Sequence, residues 1–287
     1  MSKKGLKTPL RYPGGKSRAC TKMGQYFPDL REYVEFREPF LGGGSVAIHV
    51  SKLYPHLKIT VNDLYEPLIN FWMNLQMFGD ELSTNLKNLK IAHPNQDSAR
   101  CLFAEMKDVI NDSTQNNLDR AVAFYIVNKC SFSGLTESSS FSAQASDSNF
   151  SLRGIEKLPE YSEIISHWHI NSYSYEYCFR TDIHDGLFMY LDPPYDIKDN
   201  LYGKGGAMHK SFDHDKFAAD CDAHNDTKML ISYNSDQLVK DRFKNWNASE
   251  FKLTYTMRSV GEYMREQQER KELLLFNYKL SEVTVDE

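Results

Sequence analysis

Apolar residues recur along this chain in two rhythms, short continuous runs and longer stretches with a helical period, and their order predicts the fold. Residues 33–37, Tyr-Val-Glu-Phe-Arg, read as a short strand. It enters the loop Glu38-Pro39-Phe40-Leu41-Gly42-Gly43-Gly44 and then a helix with Val46, Val50 and Leu53 on one face. A second strand, 57–61, ends at Asn62-Asp63 and leads into an apolar helix from about Glu66 to Phe78. From about residue 80 to 165 the strand signals fade and helical spacing takes over, notably at Leu118, Ala121, Val122, Tyr125 and Ile126. The Ser-rich stretch Ser131 to Ser151 is too polar for core and predicts a loop or exposed hairpin. Alternation resumes with strand 187–191, helix 213–223, strand 229–233, helix 236–243 and strand 272–278. The pattern predicts an α/β fold in which residues 1–79 and 166–287 form one domain, interrupted by a helical insertion over 80–165.

The most informative segment follows the run Gly186-Leu187-Phe188-Met189-Tyr190-Leu191, which reads as a buried strand. Directly after it stands Asp192-Pro193-Pro194-Tyr195, at the carboxyl end where open α/β sheets bind ligands. Two prolines stiffen the turn and remove backbone donors, leaving a carboxylate, the Pro193 carbonyl and a flat ring. That set suits a planar base bearing an exocyclic amine: Asp192 and the carbonyl accept the amine hydrogens, and the Tyr195 face stacks. Alone, Pro-Pro after a strand also fits a plain strand-ending turn.

Two further elements change that balance. The loop through Phe40, Gly42 and Gly44 places small residues at a helix N-terminus, where backbone approaches a ligand closely. Asp63 follows about twenty residues later, where a Rossmann-type fold sets an acid against ribose hydroxyls. Together they suggest an adenosine-containing cofactor, with a helix cap as the alternative role for Asp63. Near the N-terminus lies Arg11-Tyr12-Pro13-Gly14-Gly15-Lys16, which by itself fits an exposed turn with a solvated lysine.

Composition narrows the class. With 287 residues and 41% hydrophobic content the chain can bury a sizeable core. Its five cysteines stand singly, without a C-x-x-C pair, so neither a disulfide framework nor a zinc site is expected, and a reducing cytoplasm is the natural home. No signal peptide or membrane-length run is seen, and no metal is called for. The formal net charge is -5, yet residues 1–28 carry seven Lys or Arg and no acid, and residues 120–136 carry Arg120 and Lys129 with no acid. Basic patches on an acidic body are compatible with a DNA enzyme that must release its substrate.

Taken in order, Arg-Tyr-Pro-Gly-Gly-Lys, Glu-Pro-Phe-Leu-Gly-Gly-Gly-Ser, an insertion and Asp-Pro-Pro-Tyr resemble Dam-type (D12 class, alpha group) DNA adenine N6-methyltransferases over nearly the whole chain. Asn128 to Leu135 is similar to the hairpin start of that family's target-recognition region, and Leu230 to Asn234 and Lys271 to Leu274 also fit. The resemblance implies a Rossmann-like, S-adenosylmethionine-dependent methyltransferase sheet with a helical target-recognition insertion. It implies methyl transfer to adenine N6 in double-stranded DNA, with base flipping, by a monomer in the cytoplasm or on the nucleoid, in a restriction-modification or other setting. By it, Tyr12, Lys16, Phe40, Gly42, Gly44, Asp63 and Asp192 meet the cofactor, while Asp192, Pro193, Pro194 and Tyr195 form the catalytic tetrad. Lys129, Phe132, Ser133 and Leu135 face DNA, with Lys129 on phosphate and Phe132 entering the base stack. A core position is the alternative for Phe132. GATC is the target the resemblance points to, although residues 136–150 carry none of the Arg and Lys that better-known members use to read bases. RNA adenine, another planar amine, and a catalytically silent DNA-binding protein are the alternatives.

Overall fold

The structure, a computed structural model, describes residues 5–12, 14–17, 19–132, 139–195, 212–253 and 270–280. Seven strands form one sheet: β1 (Glu35–Glu38), β2 (Lys58–Asn62), β3 (Trp168–Asn171), β4 (Leu187–Leu191), β5 (Lys228–Asn234), β6 (Asn247–Leu253) and β7 (Arg270–Phe276). Their spatial order is β3-β2-β1-β4-β5-β7-β6, with β1 to β5 parallel and β7 antiparallel to both β5 and β6. The chain therefore builds outward from β1 to β3 and returns to place β4 on the other side of β1. That reversal opens a crevice beyond the carboxyl ends of β1 and β4, the place where such sheets hold ligands. The expected Rossmann-like methyltransferase sheet is what the chain forms.

Every residue of β4 and all but the ends of β5 are buried, which explains their continuous apolar runs. The sequence reading omits β3 and β6, the two edges of the sheet. Both are short on apolar residues because one side of an edge strand faces solvent: β3 buries only Trp168 fully, and Asn247, Ala248 and Glu250 of β6 are exposed.

Helix α1 (Cys20–Met23) is a single turn behind the N-terminal motif, and α2 (Ser45–Leu53) follows the glycine loop. Helix α3 (Glu66–Ala92) starts with Pro67 in its first turn and has non-helical dihedrals at Phe78, where the sequence pattern ends the helix; beyond that kink it continues for about another four turns. It packs against α5 (Asn117–Cys130), which α4 (Gln96–Val109) covers in turn, and against the helices that precede β3. One apolar cluster runs from Val46 and Ile48 of α2 through Phe71 and Trp72 of α3 to Phe124, Tyr125 and Ile126 of α5, so the insertion and the sheet share a core.

The Ser-rich stretch, expected as a loop or exposed hairpin, opens with hairpin-like pairing and then adds a helix and buried serines that the expectation lacks. Ser131 forms a bridge to Phe141, and α6 (Ala143–Ser148) follows, capped by the Ser142 hydroxyl. Ser131 and Ser146 are fully buried because each hydroxyl donates to a nearby carbonyl, Asn128 at 3.1 Å and Ala143 at 2.8 Å. Polarity alone misplaces them outside the core. Two short helices, α7 (Leu152–Ile155) and α8 (Leu158–Ile165), precede β3; α9 (Tyr175–Arg180), α10 (His214–Ala223) and α11 (Gln237–Arg242) lie in the connections between the later strands.

Candidate active site and cofactor cradle

Asp192 to Tyr195 leave the buried end of β4 at the crevice, with Asp192 partly exposed there. Lys16, 176 residues away in sequence, reaches the same point. Its ammonium donates to both Asp192 oxygens, at 2.8 and 2.9 Å, to the Tyr195 hydroxyl at 2.7 Å and to the Gly14 carbonyl at 3.0 Å. The solvated-turn alternative for Lys16 is excluded, since its side chain is only 2% exposed. Burial alone would lower the lysine's pKa, but Asp192 and Glu272 outweigh it and hold the ammonium well above the ordinary lysine range.

Asp192 is positioned from below as well. Ser232, in the middle of β5, donates to Asp192 Oδ1 at 2.8 Å, and the Tyr190 hydroxyl lies 2.9 Å from Ser232 Oγ. With the serine proton committed to the carboxylate, Tyr190 donates to the serine. Burial, followed by the Asp192 charge, pushes the Tyr190 phenol well above its usual pKa, so it keeps the proton this chain requires. Glu272 on β7 is the other anion: it lies 3.3 Å from the Lys16 ammonium and accepts the Tyr195 hydroxyl.

The second part of the crevice is the glycine loop. Gly42 and Gly44 have positive φ, 48° and 65°, and Gly44 is the N-cap of α2. Space demands glycine there too. A Cβ on Gly42 would stand 2.8 Å from the Tyr12 ring, and one on Gly44 would stand 2.7 Å from Trp72 of α3. The Trp72 indole also donates to the Gly42 carbonyl at 3.1 Å, fixing the loop from beneath. Asp63 accepts from Gly42 N at 2.9 Å and from Tyr65 N at 3.0 Å, tying the ends of β1 and β2 together. Burial raises its pKa, opposed by those backbone donors. Phe40 stacks on Tyr175 with centroids 5.6 Å apart and meets Phe212 edge-on at 5.8 Å, forming an aromatic wall beside the loop.

Glu38, at the end of β1, is the residue that links the two parts. It is 2% exposed and accepts Ala47 N at 2.8 Å in the first turn of α2. Burial first, then the Asp192 charge, raises its pKa well above the carboxylate range, and Asp63 pushes the same way. The sequence reading gives Glu38, Tyr190, Ser232 and Glu272 no role of their own, although Ser232 and Glu272 fall in segments it matches to the family; the further signal is a polar side chain inside a buried strand run.

On the insertion, the Arg11 guanidinium donates to the Ser131 carbonyl at 2.7 Å, and Asn128 brackets the Arg11 backbone by accepting from its N–H at 3.0 Å and donating to its carbonyl at 2.6 Å. The N-terminal motif is thereby fastened to the end of α5. Lys129, mostly buried, stands 5.2 Å from the Tyr125 ring centre; burial and then Arg11 lower its pKa to about 8. Phe132 is 47% exposed, so it is no core residue. Ser133 and Leu135, like Pro13 and Ser211, lie outside the described residues.

The residues present fit an adenosine-bearing methyl donor: a side-chain-free loop at a helix N-terminus, a carboxylate already oriented on that loop, and an aromatic wall beside it. Among the described residues, no group of three or more His, Cys, Asp or Glu could hold a metal ion, and no helix is long and apolar enough to cross a membrane.

Comparison with known proteins points the same way. The chain is 23% identical over 270 residues to the type II methyltransferase M1.LlaDCHI of Lactococcus lactis subsp. cremoris, covering 89% of this chain and 90% of that protein. It is 23% identical over 203 residues to the type II methyltransferase M.CviBI of Paramecium bursaria Chlorella virus NC1A, covering 69% and 72% of the two chains. The DNA N-6-adenine-methyltransferase of Escherichia phage P1 is 27% identical over 127 residues, 44% of this chain but only 15% of that longer protein. Residues 12–257, from the aromatic of the N-terminal motif to beyond β6, match the description D12 class N6 adenine-specific DNA methyltransferase, and the chain belongs to that family.

Proposed function

We propose that this chain transfers the methyl group of S-adenosylmethionine to N6 of an adenine turned out of double-stranded DNA. The observation that carries the reading is the placement of Asp192 and the Pro193 backbone at the β1/β4 reversal, beside a glycine loop that no side chain could share. When bound, the cofactor supplies an electrophilic methyl group on sulfur. The chain's own residues do the rest. Asp192 and the Pro193 carbonyl accept the two N6 hydrogens, so the lone pair, otherwise delocalised into the ring, turns toward the methyl. As the N–C bond forms and the C–S bond breaks, positive charge grows on N6, and the Asp192 carboxylate stabilises it. One N6 proton then leaves to water. Ser232 and Tyr190 hold the carboxylate in its orientation throughout. Tyr195 stacks on the base, while Asp63, Phe40, Gly42, Gly44, Tyr12 and Lys16 shape the cofactor side.

Base flipping is required because N6 is inaccessible within the stack. Residues 80–165 form the target-recognition insertion in this reading, and the exposed ring of Phe132 supports a role as the wedge that fills the vacated space. Lys129 and Arg11 form a basic pair suited to phosphate. The likeness to type II enzymes favours a restriction-modification setting; GATC is the leading target, acted on by a monomer in the cytoplasm or nucleoid. Sequencing of methylated bases in DNA from a host expressing the chain tests substrate, position and target at once. N6-methyladenine at a defined site, absent with Asp192→Ala, is the expected result; no modification by the folded wild type would refute the reading.

A further inference from the structure

Glu272 is a buried carboxylate with no place in the reaction as set out above. It sits on β7 at 2% exposure, followed by Leu273, Leu274 and Leu275, all buried. A charge in such a setting is costly unless partnered. Among the described residues its partners include two from active-site motifs, the Lys16 ammonium at 3.3 Å and the Tyr195 hydroxyl.

The geometry also poses a conflict. Asp192 Oδ1 accepts from Ser232 and Lys16, and Oδ2 accepts from Lys16, so both oxygens are engaged by the protein itself. An incoming amine needs one of them. One ammonium is shared between two carboxylates, so it can move away from Asp192 and still keep a buried counter-ion.

We propose that Glu272 is a positioning residue: it takes over the Lys16 ammonium when the target amine engages Asp192, and it pins the Tyr195 hydroxyl so that the ring presents a fixed face to the base. The inference rests on Asp192 being the amine acceptor. Glu272 touches neither base nor cofactor in this account; it acts through Lys16 and Tyr195. No proton transfer is involved, since ammonium and both carboxylates keep their charges. Without Glu272, Asp192 is the remaining ion-pair partner of Lys16 among the described residues, and the ammonium competes with the substrate.

The test is Glu272→Gln, which keeps shape and removes charge, measured by single-turnover methyl transfer on cognate duplex with the full chain. Cofactor affinity should stay at the wild-type value, while the rate at neutral pH falls about 10- to 100-fold, the scale of a misplaced reacting group. Raising pH should shrink that deficit. Two carboxylates hold the Lys16 ammonium against burial in the wild type; with one removed, Lys16 loses its proton at lower pH and frees Asp192. On a Lys16→Met background the Gln substitution should add a much smaller loss, because the competing ammonium is gone and only the hold on the Tyr195 hydroxyl is left to weaken. Glu272→Asp, which keeps the charge within reach of Lys16, should return most of the rate. A folded Gln variant within about twofold of wild type overturns the proposal. So does a deficit that is independent of pH and equally large on the Lys16→Met background, or an Asp variant as slow as the Gln variant. Failure of the reaction reading would look different: Asp192→Ala would then methylate like wild type, whatever Glu272 does.

Discussion

Asn128→Ala separates the strap between the two halves of the protein from the chemistry it supports. The Asn128 side chain is fully buried at the end of α5, and its amide satisfies both the N–H and the carbonyl of Arg11, at 3.0 and 2.6 Å. Truncation leaves two backbone groups without partners in a half-buried position. Each such group costs about 1–3 kcal/mol when water is excluded, and partial access to solvent places this pair near the low end, about 2–3 kcal/mol together. For a chain of this size that corresponds to a fall in melting temperature of roughly 3–5 °C. The loss should be local first. Lys16 lies five residues beyond Arg11, so hydrogen exchange should accelerate over residues 10–17 while β4 and β5 remain protected. Thermal melting and exchange mass spectrometry read the two effects. A variant that melts within about 1 °C of wild type, with unchanged exchange over 10–17, would refute the argument that this side chain fastens the N-terminal motif to the insertion.

Other substitutions probe the remaining contacts. Tyr195→Phe keeps the stacking face, which from the residues alone should suffice, but the hydroxyl's bonds to Lys16 and Glu272 point to a measurable defect, about tenfold in single-turnover rate; full activity would show that those bonds serve only packing. Asp63→Ala should weaken S-adenosylmethionine binding in calorimetric titration and leave DNA affinity unchanged, since Asp63 orders the Gly42 turn; equal losses for both ligands would count against it. The sign for Lys129 follows from its pKa of about 8: the free amine is protonated below that value, so DNA affinity should decline as pH rises through it, and Lys129→Arg should remove the decline. Unaltered pH dependence in the Arg variant would place the phosphate contact elsewhere. Gly44→Ala should cost about 1–3 kcal/mol in denaturant melts, because the residue has φ of 65° and its new Cβ would meet Trp72; a neutral outcome would mean that the loop can shift.

The parts of this protein legible in its sequence are those whose residues act within a few positions of one another. Strands β4 and β5 are interior, buried on two faces, and their apolar runs announce them, while β1 and β2 are marked by the glycine loop and Asn62-Asp63 that follow them. Edge strands β3 and β6 carry polar residues on the exposed side, so His169, Asn247 and Glu250 break any run. The Asp-Pro-Pro-Tyr turn, the glycine loop and Lys16 are compact motifs that chemistry can interpret locally. Glu272 and Ser232 are not, since each meets Asp192 or Lys16 only after the sheet has brought together segments 40 or more residues apart. The serines at 131 and 146 fail for a different reason: each hydroxyl is satisfied by the carbonyl three residues before it, at the end of α5 and within α6, so a polar side chain is buried at no cost that polarity alone would reveal.

The sheet's connectivity has a bearing on biosynthesis. β7 lies between β5 and β6 although it follows both in the chain, so β6 has no partner in the sheet until the later strand slots in beside it. Glu272 rides on that strand. A nascent chain emerging from the ribosome can therefore form β1 to β5 and dock the cofactor loop well before Lys16 acquires its second counter-ion. Assembly of the complete charge cluster waits for β7, and a chain halted before residue 270 would carry the N-terminal motif, the glycine loop and Asp-Pro-Pro-Tyr while lacking the strand that joins β5 to β6.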